Sequence, residues 1–328
     1  MRLSGTYRAN NARLGGSLSY DLTMYGQMLL AWFADNQGLL LNAVAGGVML
    51  GAFFAAMAVG ISIAFGILDI VNIAHPAFII LGAFVAYLAN AWYGVDPIVA
   101  SIVALPVFYA LGMLIYQIYH LSFESRGQEG QTSLRGLSFF FGILFITEVM
   151  LVLEFGVDYR YVNAPYISVE PWHIGVVDLP LRMLVPCVVS LVMLAGLQLF
   201  LSRTFIGRAI MAVAQDQFAL RLMAADPVRI KRTAFAISIA TASLAGALLI
   251  IIQPVEPSMG RDYIGLVFAI CVLGGLGSLA GTLIGAMLLG VAESFTATFY
   301  GPSWAPAVSF GLLLLTLAFR PSGIMGRS

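Results

Sequence analysis

The chain has 328 residues, of which 60% are hydrophobic and only 10% charged, and its mean hydropathy is +0.94. Soluble domains run nearer half apolar and a quarter charged, so the composition excludes a water-soluble globular protein: there are too few charges to cover a wet surface. Sixteen basic and sixteen acidic groups cancel to zero net charge, which leaves no whole-chain attraction for nucleic acid or an acidic substrate.

In chain order, residues 1–37 carry Arg2, Arg8 and Arg13, and their first apolar stretch, Met28 to Phe33, stops at Asp35. That stretch is too short for a cleaved signal peptide. It reads as a polar tail with an amphipathic segment lying in the membrane interface, ahead of a transmembrane body over 38–328. No charge then falls between Leu39 and Leu68, between Thr233 and Val255, or between Tyr263 and Ala292. Each run exceeds the roughly 20 residues that span hydrocarbon as a helix.

Apolar windows predict membrane segments at 39–66, 76–95, 97–119, 137–157, 180–201, 233–254, 262–276, 279–299 and 305–319, the shorter ones being candidates for re-entrant pieces. Backbone in lipid must satisfy its own hydrogen bonds, and no alternating, turn-punctuated barrel pattern occurs. The predicted fold is an all-α polytopic membrane protein, a helical bundle of about 8–10 transmembrane segments. Leu81-Gly82-Ala83-Phe84 with Ala89-Asn90 recurs at constant offset as Ile284-Gly285-Ala286-Met287 with Ala292-Glu293, a faint sign of two related halves.

The first polar interruption is Asp69-Ile70-Val71-Asn72-Ile73-Ala74-His75-Pro76. It has two readings: a turn in which Asn72 and His75 cap the next helix, or a break lining a solute path. Glu148 lies inside the apolar run FFFGILFITEVMLVLEF, where an ionised carboxylate is costly unless paired or wet, so it is expected to face the bundle interior. Glu154 is expected at the interface. Cys187 and Cys271 sit in separate apolar runs without metal-ligand spacing and read as buried free thiols. The three histidines, His75, His120 and His173, are too scattered for a metal or a catalytic constellation.

Residues 202–232 concentrate Arg203, Arg208, Arg221, Arg229, Lys231 and Arg232 against only Asp216 and Asp226, which places this loop in the cytoplasm. Counting spans from it puts Ser122–Gly136 and the tail with Arg320 and Arg327 inside, and Asp158–Asp178 outside as an interfacial cap with Pro165, Tyr166 and Trp172. The same count leaves the N-terminal arginines outside, against the charge rule. Within the basic loop, Arg208 to Ala225 reads as a helix opened by Gly207 and closed by Asp226-Pro227. Its apolar face would be Ile210, Val213, Ala214, Phe218, Leu222 and Ala225, with Arg208, Gln215, Asp216 and Arg221 facing elsewhere. Such a helix can anchor to lipid headgroups or dock into a partner's groove. Gly274-Gly275-Leu276-Gly277-Ser278 is too rich in glycine for a straight helix and reads as a tight turn or as a wall of the path. It is no phosphate loop, since no lysine follows, and no G-x-x-x-x-G-K-S/T occurs anywhere in the chain.

Four of these stretches, in order, resemble one family. SRTFIGRAIMAVAQD at Ser202–Asp216 is similar to the coupling loop of permease subunits in the branched-chain amino-acid (high-affinity) family of ABC importers. GISIAFGILDIVNIAHPAFIILGAFVAYL, VLGGLGSLAGTLIGAMLLGVAES and FRPSGIMGR resemble that family's broken helix pair, its Leu-Gly-Gly-Leu-Gly-Ser signature and its C-terminal end. The resemblance implies a multi-pass plasma (inner) membrane subunit that is not itself an enzyme and carries no cofactor. Its implied partners are a second homologous permease, two ATP-binding subunits, an external solute-binding protein and the lipid bilayer, with no nucleic acid. It also implies coupling to the ATPase through Arg208, Gln215, Asp216 and Arg221, and a substrate pathway past Asn72, His75, Glu148, Gly275, Gly277 and Ser278. Departures at His75-Pro76-Ala77, at Phe123-Glu124-Ser125-Arg126-Gly127 and at Val267-Phe268 widen the expected solute from branched-chain amino acids to related amides and urea-type compounds. An ion- or proton-coupled secondary transporter is the rival reading, with Glu148 as its relay.

Overall fold

The computed structural model describes residues 36–66, 68, 70–124, 132–167, 170–215, 226–320 and 322–325. The predicted N-terminal amphipathic segment lies outside them. The described chain runs α1 (Gln37–Gly66), α2 (His75–Tyr93), α3 (Pro97–Ser122), α4 (Thr132–Phe155), a small antiparallel hairpin β1 (Trp172–Ile174) and β2 (Val177–Leu179), then α5 (Leu181–Arg203) and α6 (Phe205–Val213). It continues with α7 (Pro227–Ile252), a 3-10 turn at Pro257–Gly260, α8 (Asp262–Gly274), α9 (Leu279–Phe299), a second 3-10 turn at Pro302–Trp304 and α10 (Ala305–Phe319).

Among the described residues, eight helical stretches are long and apolar enough to cross a membrane: α1 to α5, α7, α9 and Pro302–Phe319. The predicted span at 262–276 differs. Its helix, α8, has 13 residues, about 20 Å of axis against a hydrocarbon core of roughly 30 Å. Some boundaries also move for local reasons. α7 begins at Pro227 rather than 233, because the Asp226 carboxylate accepts from Val228 N at 3.0 Å and Pro227 suits a first-turn position. α2 stops at Tyr93, where Gly94 adopts φ 64° and closes the helix.

α1 and α7 form the buried centre, as expected of helices that are apolar on every side. Small residues let neighbouring backbones approach them. A Cβ on Gly47 would lie 2.6 Å from Val291 Cα, and one on Gly51 2.7 Å from Met287 Cα, where α1 crosses α9. The α2–α7 crossing repeats the device, with a Cβ on Gly82 lying 2.9 Å from Ser243 Cα. Gly285, which matches Gly82 in the faint repeat, is also a crossing point, but against Gly274 of α8.

One end of the bundle gathers Gly66, the end of α5, α6, the glycine turn and residues 322–325. α6 belongs to the basic loop, so this is the end expected to face the cytoplasm. At the other end residues from 156–167 and 170–180 pack against the helix ends. Asn42 of α1 donates to Val176 O at 3.0 Å and accepts from Asp178 N at 2.7 Å. Asn90 of α2 exchanges bonds with the Asn163 backbone at 2.9 and 3.0 Å. Arg160 and Val255 pair through both of their backbone groups.

Candidate functional site

α6 follows directly on the end of α5, turned by a single residue, Thr204. The Thr204 hydroxyl accepts from Gly207 N at 3.0 Å and so caps the helix. Gly207 is pressed against the backbone of Phe200 and Leu201, with no room for a Cβ. The helix therefore starts at Phe205, three residues before the expected Arg208, and Gly207 sits inside it. Ile210 and Val213 are buried as the pattern required, whereas Ala214 is exposed. Arg208 and Gln215 face outward, joined by two large apolar side chains that the sequence reading passed over, Phe205 at 80% and Ile206 at 50% exposure. Asp216, Phe218, Arg221, Leu222 and Ala225 lie outside the described residues.

Behind α6 is a cavity of about 590 Å³ lined by Gln198, Ser202, Met211, Gln215, Gly277 and Ser278, among others. The glycine stretch is a turn, as one of its two readings had it. Gly275 and Gly277 adopt φ 99° and 81°, a region that side-chain-bearing residues avoid, and Gly277 abuts Gly66 at the end of α1. The Ser278 hydroxyl caps α9 by accepting from Gly281 N at 3.0 Å. The carbonyls of Leu273 and Gly274 accept from Ile324 N at 2.9 Å and Met325 N at 3.0 Å, so the irregular segment 322–325 finishes α8 and forms part of the cavity wall. Thus Gln215, Gly277 and Ser278 share one cavity, with Gly275 just behind it against Gly323.

The remaining candidates sit elsewhere. Asn72 holds the turn that leads into α2, its side-chain oxygen accepting from Ala74 N at 3.1 Å and its backbone oxygen from His75 N at 3.3 Å. The N-cap itself is Ala74, with no side-chain cap bond, so the expected capping by Asn72 and His75 is not what the structure shows. His75 is the first residue of the helix. Its ring is fully buried against Gly60, where a Cβ would come within 2.6 Å of Nε2. Ser238 of α7 donates to the Gly60 carbonyl at 2.6 Å beside it, so this polar group belongs to the packed junction of α1, α2 and α7. Glu148 is largely buried and forms an ion pair with Arg261 at 2.9 Å. Glu154 is exposed near the outer end of α4, and both cysteines are buried free thiols.

Two polar centres were not singled out from sequence. Glu124, just past α3, accepts from Tyr116 at 2.9 Å, pairs with His120 at 2.8 Å and pairs with Lys231 of α7 at 3.2 Å. Burial alone would raise its carboxyl, but the His120 bond, the Lys231 charge and the Tyr116 bond outweigh that and hold it below the usual range. Glu293 of α9 is buried and accepts a hydrogen bond from Ser309 of α10. Its lone carboxylate within a long charge-free run was the signal that could have found it. Among the described residues no group of His, Cys, Asp and Glu is arranged to hold a metal ion.

Residues 43–317 match the family model described as branched-chain amino acid transport system / permease component. The chain is 31% identical over 301 residues to the high-affinity branched-chain amino acid transport system permease protein BraD of Pseudomonas aeruginosa, covering 88% of this chain and 96% of that one. It is 28% identical over 296 residues to LivH of Escherichia coli K12, covering 86% and 94%. LivM of the same organism matches over 127 residues at 37% identity, 38% of this chain and 29% of LivM. PsaBC from Streptococcus pneumoniae in complex with Fab aligns over 89% of this chain and 97% of its own at 13% identity and a TM-score of 0.42, too remote to carry an argument. The family match spans nearly the whole bundle and the relatives align almost end to end, so this multi-pass membrane protein belongs to the family of branched-chain amino acid transport system permease components.

Proposed function

We propose that this permease is one membrane subunit of an ABC importer in the inner membrane, moving a small polar solute, a branched-chain amino acid or a related amide or urea-type compound, into the cytoplasm. ATP is hydrolysed on two separate subunits. A second homologous permease completes the membrane part, and an external solute-binding protein delivers the solute. The observation that carries this reading is α6: a short cytoplasmic helix, anchored rigidly to α5 through Thr204 and Gly207, which holds Phe205, Ile206 and Arg208 out to solvent. Exposed aromatic and aliphatic side chains next to an arginine are the composition of a protein-docking spot.

The mechanism follows from where α6 is fixed. A push on Phe205 and Arg208 moves α5 through its end and reaches the cavity wall formed by Gly277 and Ser278, so movement of the ATP-binding subunits can open or close the cytoplasmic mouth. Gln215 is exposed beside this spot, and the coupling role expected from sequence for Asp216 and Arg221, in the same basic loop, belongs to the same reading. The test is uptake into proteoliposomes containing the assembled complex. Replacing Asp216 and Arg221 with alanine should abolish solute uptake while membrane insertion and ATP hydrolysis persist. Normal ATP-driven uptake in that double variant would overturn the coupling assignment, and uptake driven by a proton gradient without ATP would favour a secondary transporter.

A further inference from the structure

The segment between α7 and α8 does not stay at the outer surface. Val255 is paired with Arg160, whose guanidinium lies 5.8 Å from the Tyr87 ring on α2. Five residues later Gly260 abuts Ala77, with its Cβ position 3.2 Å from Ala77 Cα. Ala77 and Tyr87 are separated by about 15 Å of helix axis, so the chain descends by about that much from the outer side toward the start of α2. The ion pair agrees, since Arg261 meets Glu148, about 10 Å below the outer end of α4. α8 then begins deep in the bundle and needs only its 13 residues to reach the cytoplasmic glycine turn.

This descending segment is polar. Gln253 donates to the Tyr263 hydroxyl, Ser258 donates to Glu256 at 2.7 Å, and Arg261 and Asp262 follow one another. Arg261 keeps 52% of its side chain exposed and Asp262 is exposed as well. At this depth two adjacent exposed charges cannot face lipid at tolerable cost; such residues face the bundle interior or a water-filled space. Irregular backbone at depth obeys the same restriction. Glu148 occupies one side of the guanidinium, which has five N–H donors in a fixed fork. It holds the group in place and leaves donors toward the open side.

We propose that Gln253–Tyr263 lines the outer, water-filled part of the solute pathway, and that Arg261 and Asp262 receive the carboxylate and the ammonium of a zwitterionic α-amino acid. This deepens the importer reading, on which it rests, by assigning the side chains that recognise the two charged groups of the solute on its way in. Glu148 is a positioning residue that orients Arg261.

Thiol labelling from outside the cell tests it in the complete complex. In a background with Cys187→Ala and Cys271→Ala, Arg261→Cys and Asp262→Cys should react with a membrane-impermeant methanethiosulfonate reagent. The control is Val103→Cys, on the exposed apolar side of α3. The two pathway thiols should react at least about tenfold faster than the control, and saturating L-leucine, L-isoleucine, L-valine or another L-amino acid should slow them while urea does not. In uptake assays Arg261→Gln should raise KM by about tenfold or more, the loss of a charge-assisted bond, with Vmax changed far less. Arg261→Lys should recover part of that loss. Thiols as unreactive as Val103→Cys, or protection by urea but by no amino acid, would overturn the proposal. Failure of ATP dependence in uptake would instead sink the importer reading and leave the labelling result standing.

Discussion

Lys231, within the first turns of α7, lies 3.2 Å from Glu124 at the end of α3, and Arg232 beside it donates to Gln117 at 2.9 Å. The basic loop therefore hands over to a helix lashed to its neighbour by side chains that are mostly buried, 12% exposed for Lys231 and 20% for Glu124. Removing one partner leaves the other desolvated and unpaired. Glu124→Ala is expected to destabilise the permease by about 1–3 kcal/mol, and Glu124→Gln by less because it keeps hydrogen-bonding capacity. Thermal unfolding of the purified chain in detergent measures this, and an unchanged midpoint would contradict it.

The same carboxylate predicts a pH dependence. Its value in the fold is lowered relative to the ordinary 4.5. The stability it contributes is thus fully present above that ordinary value and is lost as pH falls through the lowered one. The difference in unfolding midpoint between the native chain and Glu124→Gln should stay constant from pH 7 down to about 4.5 and shrink below it. A difference that instead grew on acidification would contradict the sign.

Two glycines in helices should respond in opposite directions. Gly47→Ala places a methyl 2.6 Å from the backbone of α9 and should cost about 1–3 kcal/mol by forcing the crossing apart. Gly142 has nothing within 4 Å of its Cβ position, so Gly142→Ala should be neutral or stabilise by about 0.5–1 kcal/mol through helix propensity. Denaturation of both variants side by side checks the pair.

Gly277 combines φ 81° with a Cβ position only 2.7 Å from the Gly66 carbonyl oxygen. Gly277→Ala should cost about 1–2 kcal/mol in backbone strain alone and push α1 away from the cavity. Gly196→Ala, at an open position, is its control. Uptake should fall sharply in the first variant and stay near normal in the second, with both inserted in the membrane at equal amounts.

Much of this was legible in the sequence because lipid leaves few choices. Charge-free runs located α1, α7 and α9. What escaped depends on tertiary contact. Thr204 looks like any loop threonine until its hydroxyl is seen capping α6, so Phe205 and Ile206 were read as loop rather than as an exposed helical face. The short apolar run 262–276 reads as a span, and only the contact of Gly260 with Ala77 reveals that its chain has already descended. Glu148 is expected from sequence to face the bundle interior; in the structure it is largely buried against Arg261, a partner far away in sequence that no periodicity links to it. Asn72 and His75, three residues apart in one polar break, separate into a turn-forming side chain and a fully buried ring because Gly60 opens a notch for one of them.

If α6 receives force from separate ATP-binding subunits, its exposed apolar side chains are the point of contact, and ATP-driven uptake by a Phe205→Asp, Ile206→Asp variant decides it. Both side chains are exposed, so insertion and folding should be preserved. The predicted result is loss of copurifying ATP-binding subunits and a fall in uptake of about tenfold or more, on the scale of losing a docking hot spot. Uptake and copurification equal to those of the native permease would contradict the account.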